Sequence, residues 1–175
     1  AVSALAALED SSGGVLSRIA TSADRDGDGW VINGTKAVVT SAPIADYLIV
    51  SARTAGEPDD PPGVSLFLLE LGDNAPAGLT SHPLRTIDDR VAADLVFTDV
   101  RVPADALIAE SAIDLLERAW DEATAAVVSE AVGLMRKVFT DTVEYAKQRQ
   151  QFGVPIGSFQ ALQHLSLIHI SEPTR

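Results

Sequence analysis

Cysteine is absent from the 175 residues, so disulfides, thiolate nucleophiles and Cys-ligated metals are excluded. Histidine is scarce, at 3 residues; with His169 set aside below, His82 and His164 are too few for a His-rich metal site. Aromatic residues make up only 5% of the chain. Basic residues are outnumbered, 13 against 25 acidic ones, which gives a net charge of −12. The phosphate field of nucleic acid or of an anionic membrane would repel such a surface, so neither is an expected partner. No apolar run reaches the roughly 18 residues that span a bilayer. The first residues carry no basic-then-apolar export signal, and the default expectation is a cytoplasmic location.

What is present is enough for a core: 46% of the residues are hydrophobic, in a length that suits one domain or two small pieces. Both ends read as cut. The start, Ala1-Val2-Ser3-Ala4-Leu5, has no initiator Met and enters apolar sequence at once. The end, residues 165–175, resembles a translated sequencing adapter, and Pro173 would break the helix that opens after Ser158. These residues, His169 included, are treated as a non-native tail and left out of functional reasoning.

The chain changes character near residue 103. Before it, short Val-, Ile-, Leu- and Thr-rich runs are separated by Gly, Pro, Asp and Asn. Trp30-Val31-Ile32 and Lys36 to Thr40 flank Asn33-Gly34, which predicts a hairpin with its tight turn at Asn-Gly. Further strands are expected at Tyr47 to Ala52, Val64 to Leu69 and Ala93 to Val102, with the acidic, proline-rich Gly56 to Gly63 as a loop. Strands at this spacing without helices between them imply an antiparallel sandwich or barrel. After Pro103 the punctuation nearly stops. Ile113, Leu116, Trp120, Ala123, Val127, Ala131, Leu134 and Val138 step by three or four, which predicts one helix over roughly Ser111 to Gln151. A rod of about 60 Å needs helical neighbours to be stable. Gly153 and Pro155 would stop it, and Ser158 would cap the next helix. The expected fold class is α+β: an antiparallel β domain over 1–103, then the first helices of a bundle over 104–164.

Three strings in order carry a resemblance. Trp30-Val31-Ile32-Asn33-Gly34-Thr35-Lys36 through Thr40-Ser41-Ala42, Val96-Phe97-Thr98-Asp99-Val100-Arg101-Val102-Pro103, and Tyr145 through Arg149-Gln150-Gln151-Phe152-Gly153 to Phe159-Gln160 resemble segments of the acyl-CoA dehydrogenase family. The subtype they resemble is the small-subunit, pimeloyl-CoA dehydrogenase-like one. The resemblance implies the family's middle β domain and the start of its C-terminal helical bundle, with FAD bound between them. It implies an oxidoreductase that removes an α-proton from an acyl-CoA while hydride passes from Cβ to the flavin. It also implies an electron-transfer acceptor in the full-length protein and a homo- or hetero-oligomer.

Carried over residue by residue, the resemblance implies cofactor contacts at Thr40, Arg149, Gln151, Phe159 and Gln160, and a substrate contact at Asp121. Each has a plainer reading. Thr40 also suits strand packing, Arg149 suits the negative end of a helix dipole, and an exposed Asp121 needs only water. Val38 stands where the family often has a ring-stacking Trp. Around Leu5 to Gly14, only Glu9 and the glycines agree with the family segment that touches flavin and substrate. The position of a helix-borne catalytic Glu is Ala123, and Glu122 beside it points about 100° away around the helix. The catalytic base is therefore expected to be missing, lost by truncation, and the chain to be inactive alone. No metal site is expected. Two alternatives stay open: a flavin oxidase or monooxygenase on the same fold, and a non-catalytic partner subunit of a dehydrogenase complex.

Overall fold

The computed structural model describes residues 1–57 and 60–171, with side chains described through residue 165. Pro173, the expected helix breaker, lies outside the described residues. Two compact units divide between Trp120 and Asp121. The first holds β1 (Ser3–Ala6), β2 (Ser22–Asp26), β3 (Gly29–Thr40), β4 (Tyr47–Arg53), β5 (Val64–Glu70), β6 (Leu79–Arg85), β7 (Val91–Val102) and β8 (Leu107–Ala109). The helix α1 (Ile113–Gln148) runs across the division. The second unit continues through a short ribbon, β9 (Gln150–Gln151) and β10 (Val154–Pro155), to α2 (Gln160–Ser171).

The eight strands form one sheet in the order β6-β7-β3-β2-β4-β5-β8, with β1 beside β4. Pairing is antiparallel except for β1 with β4 and the single β2–β4 contact at Ser22 and Arg53. β2 and β1 thus share the space between β3 and β4: β2 ladders onto β3 from Ser22 to Asp26, while β1 pairs Tyr47 to Val50. The sheet curls, because Trp30 on β3 meets Phe67 on β5 edge to face at 5.4 Å although β2 and β4 lie between their strands. Their rings anchor a core of alternating inward residues that includes Ile32, Leu48, Val50, Leu95 and Val100. A second cluster of Ala7, Ile19, Val64, Leu66, Ala112 and Leu116 seats the first turn of α1. β6 contains Pro83 and lies at the sheet edge, where a missing N–H costs no ladder bond.

The expected hairpin at Asn33-Gly34 does not form: β3 runs unbroken through both residues, and its hairpin partner is β2, closed by Gly27 at φ +59° and Asp28. The physical reason is long-range. Asn33 spends its amide on Asp99 of β7, accepting the Asp99 N–H at 2.8 Å and donating to its carboxylate at 3.2 Å. Gly34 marks a register shift, and a Cβ there would meet the Thr21 Cα at 2.6 Å. Glycine serves here for close approach, not for a turn.

α1 is 36 residues long and passes Gly133 without a break, but it ends at Gln148, before Gly153 and Pro155. Among the described residues, no helix is long and apolar enough to cross a membrane.

Candidate functional site

The end of β3 carries Thr40. Two residues earlier the ladder with β7 is interrupted: Lys36 pairs with Leu95 and Val39 with Ala93, so Ala37 and Val38 both stand opposite Asp94. This is a β-bulge, and it puts Val38 at φ +49°, a conformation that a β-branched residue adopts only under constraint. The constraint is visible. The Val38 N–H donates to the Asp94 carboxylate at 2.8 Å, and the Ala37 N–H donates to the Leu8 carbonyl at 3.0 Å. Beyond the bulge Val39 is buried and Thr40 is exposed. The Thr40 hydroxyl has no hydrogen-bond partner among the described residues, which leaves it available to a ligand. Val38 is 52% exposed and offers an aliphatic rather than an aromatic face.

Behind this surface lies a buried ion pair. Lys36, fully enclosed on β3, donates from Nζ to Glu9 Oε1 at 2.8 Å and to Ser51 Oγ of β4 at 3.1 Å. The Glu9 carboxylate also accepts the Ala20 N–H at 2.8 Å and the Thr21 N–H at 3.0 Å. Burial pushes the Lys36 ammonium down to about 8 although Glu9 pulls the other way. Burial would raise the Glu9 carboxyl, but the Lys36 charge and the hydrogen bonds from Lys36, Thr21 and Ala20 outweigh it and hold the group below its ordinary value. The pair sits where β1, β2, β3 and β4 converge and fixes the start of the segment Asp10 to Gly14. There Gly13 and Gly14 adopt φ of +58° and +84° with open space around them. Glu9, which agrees with the family segment that touches flavin and substrate, has its side chain committed to this interior pair.

In the second unit, the ribbon β9–β10 turns at Phe152 and Gly153, both at positive φ. The Arg149 carbonyl accepts the Ile156 N–H at 2.8 Å, which folds the chain after α1 back toward the start of α2. Phe152, 93% exposed, stands edge-on to Phe159 at 6.3 Å. Ser158 does not cap α2: its hydroxyl donates to the Pro155 carbonyl at 2.7 Å, within the preceding 3-10 turn. The α2 entry is Phe159, whose carbonyl accepts the N–H groups of Leu162 and Gln163. This corner therefore gathers Arg149, Gln151, Phe159 and Gln160 over a short stretch of chain. Gln151 turns its amide onto the Gln150 carbonyl at 2.8 Å. The Arg149 guanidinium is exposed and has no ion-pair partner among the described residues.

Asp121, Glu122 and Ala123 all lie exposed on α1. Among the described residues, no group of three or more His, Asp or Glu side chains is disposed to hold a metal. Sequence reasoning missed Lys36, Ser51 and Asp94. Lys36 had a readable signal, since a lysine at an inward position of an alternating strand requires a buried anion. Asp94 had none, because its partner is a backbone N–H.

Residues 4–100 match the family model for the acyl-CoA dehydrogenase middle domain, and residues 113–168 match the model for the acyl-CoA dehydrogenase C-terminal domain. A long-chain specific mitochondrial acyl-CoA dehydrogenase of Sus scrofa is 33% identical over 167 residues, which is 93% of this chain and 39% of that protein. The butyryl-CoA dehydrogenase structure from Megasphaera elsdenii aligns with a TM-score of 0.82 at 30% identity, over 96% of this chain and 45% of that one. A structure described as an FAD complex of PigA aligns with a TM-score of 0.83 at 30% identity, over 93% and 43% of the two chains. The chain thus spans less than half the length of these relatives.

Proposed function

The chain belongs to the acyl-CoA dehydrogenase family, and from that premise we propose that it is part of a flavoprotein that oxidises an acyl-CoA thioester to the 2,3-enoyl-CoA. FAD, when bound, supplies the hydride acceptor. The reading is carried by Thr40: an exposed hydroxyl without a protein partner, held at the end of a constrained strand. In this reading it would donate to the flavin ring. Arg149 would compensate the FAD diphosphate in a protein of net charge −12. Gln151, Gln160 and the open N–H groups at the start of α2 would add donors around the nucleotide, with Phe159 packed beside them. Asp121 would meet the CoA moiety. The family resemblance supports the further proposal that one cofactor site draws on two copies of the chain.

No residue of the chain is proposed as the base. Ala123 holds the helix position, and this chain alone is expected to reduce no electron-accepting dye with any acyl-CoA. FAD titrated into the purified chain tests the reading directly: saturable quenching of flavin fluorescence, lost in Thr40→Val, supports it. A chain that leaves FAD free in solution overturns it. Acyl-dependent dye reduction would assign the base to a carboxylate of this chain, with Glu122 the first to test.

A second reading, a non-catalytic partner subunit, is favoured by Val38, whose aliphatic side chain cannot stack on a flavin. Placing Trp at this position tests it. Tighter FAD binding in Val38→Trp means that the ring site is intact, whereas no change favours the partner-subunit reading. The electron acceptor is proposed to be a separate protein, and the compartment the cytoplasm.

A further inference from the structure

We propose that Asp94 is a positioning residue for Thr40: its carboxylate holds Val38 in the left-handed conformation and so sets which face of β3 the Thr40 hydroxyl occupies. The inference rests on the reading of Thr40 as a flavin contact.

The geometry is a two-against-one arrangement. Asp94 of β7 stands opposite both Ala37 and Val38, and the extra residue exists only while Val38 remains at φ +49°. Valine resists that conformation more than most residues. A charge-assisted hydrogen bond from the Val38 N–H to Asp94 at 2.8 Å offsets the resistance. Upstream, the strand cannot adjust, because Lys36 is locked into Glu9 and Ser51 and Ala37 is bonded to Leu8. Any relaxation must therefore move residues 38–40.

If Val38 returned to an extended conformation, the bulge would be absorbed and Val39 and Thr40 would shift by one position. Side chains alternate faces along a strand, so a one-residue shift exchanges inside and outside. Val39, now 2% exposed, would face solvent and Thr40 would turn inward. Asp94 is one of a few groups at this point. His82 pairs across from it on β6, and the described residues next to it on β7, Ala93 and Leu95, are apolar. Asp94 is thus the group that distinguishes the bulged register from the regular one.

The test uses four forms of the full chain: unsubstituted, Asp94→Asn, Asp94→Ala, and Asp94→Ala combined with Val38→Gly. FAD affinity and the visible circular dichroism of bound flavin are measured, with amide exchange at residue 38 and a thermal melt alongside. Asp94→Asn keeps an acceptor oxygen and is expected to bind FAD within about twofold of the unsubstituted chain, whereas Asp94→Ala is expected to lose about tenfold, the worth of one charge-assisted hydrogen bond. Exchange at the residue 38 amide should accelerate in both variants that lack the carboxylate and not in Asp94→Asn. Glycine accepts positive φ without a clamp, so Val38→Gly should restore the affinity and the flavin spectrum in the Asp94→Ala background. A structural role for Asp94 unrelated to the bulge, such as its place opposite His82, would not be rescued in this way. Should Asp94→Ala not fold, Asp94→Ser is judged by the same outcomes. Unchanged affinity in the alanine variant, or no rescue by Val38→Gly, overturns the inference alone. A chain that takes up no FAD in any form overturns the functional reading and this inference together.

Discussion

Lys36 presents the sharpest energetic problem at the level of single residues, because an enclosed ammonium survives only with its carboxylate in place. Lys36→Met should destabilise the fold by about 3–5 kcal/mol, the cost of stranding one buried charge, and adding Glu9→Gln, which removes the charge but keeps an acceptor for the Ala20 and Thr21 N–H groups, should recover part of that loss. Urea midpoints of the two single variants and the double variant measure it. The pH dependence has a definite sign. Glu9 is held below its ordinary value, so its contribution is present above about 4.5 and is lost as pH falls through its folded value. Lys36, lowered from 10.5 to about 8, binds its proton less readily when folded, so its contribution grows as pH rises from 8 towards 10.5 and is absent below 8. Glu9→Gln should flatten the acid limb of a stability–pH curve, and Lys36→Met should remove the alkaline rise. At Val38, Val38→Asn should stabilise the chain by about 1 kcal/mol, since Asn tolerates positive φ; a thermal melt showing no gain would contradict the strain argument. Arg149→Ala should weaken FAD retention by about 1.5–3 kcal/mol while leaving the melt unchanged. The sequence singles out Thr40 and Arg149 as candidates because their neighbours are distinctive. The pairing of Glu9 with Lys36 was not legible because the two lie 27 residues apart in the chain.

At the level of elements, α1 is where local sequence speaks most clearly and packing least. Helix formers and the three-four spacing sufficed to foresee it, and its observed span, Ile113–Gln148, falls inside the expected one. Only Ile113 and Leu116 are buried on it, while Trp120, Val127, Leu134, Val138 and Tyr145 share one face and are all exposed. That face should bind a hydrophobic fluorescent dye or drive self-association, and Leu134→Glu with Val138→Glu should abolish either effect. Sedimentation and dye titration decide it. Strands β4, β5 and β7 were equally legible, being apolar runs bounded by turn residues. β2 and β6 were not. β2, Ser-Ala-Asp-Arg-Asp, is mostly polar, and β6 carries a proline that argues against any interior strand. Asn33-Gly34 misled for a related reason: its two residues satisfy a turn and a bulge equally well, and only the partner strand decides between them.

For the molecule as a whole, the net charge of −12 opposes the approach of an anionic dinucleotide. Raising ionic strength should therefore speed FAD association, and stopped-flow quenching at several salt concentrations measures the slope. A rate that falls with salt would mean that local cations such as Arg149 dominate the encounter. The parallel seating of β1 against β4 has a kinetic side. β1 is made before its partner strand β4, with β2 and β3 between them in sequence, so it can pair only by closing a long loop and is expected to dock late. The buried salt link at Glu9 closes behind it like a latch. Removing residues 1–6 should accordingly leave the folding rate nearly unchanged and accelerate unfolding, the signature of a contact made after the barrier has been crossed.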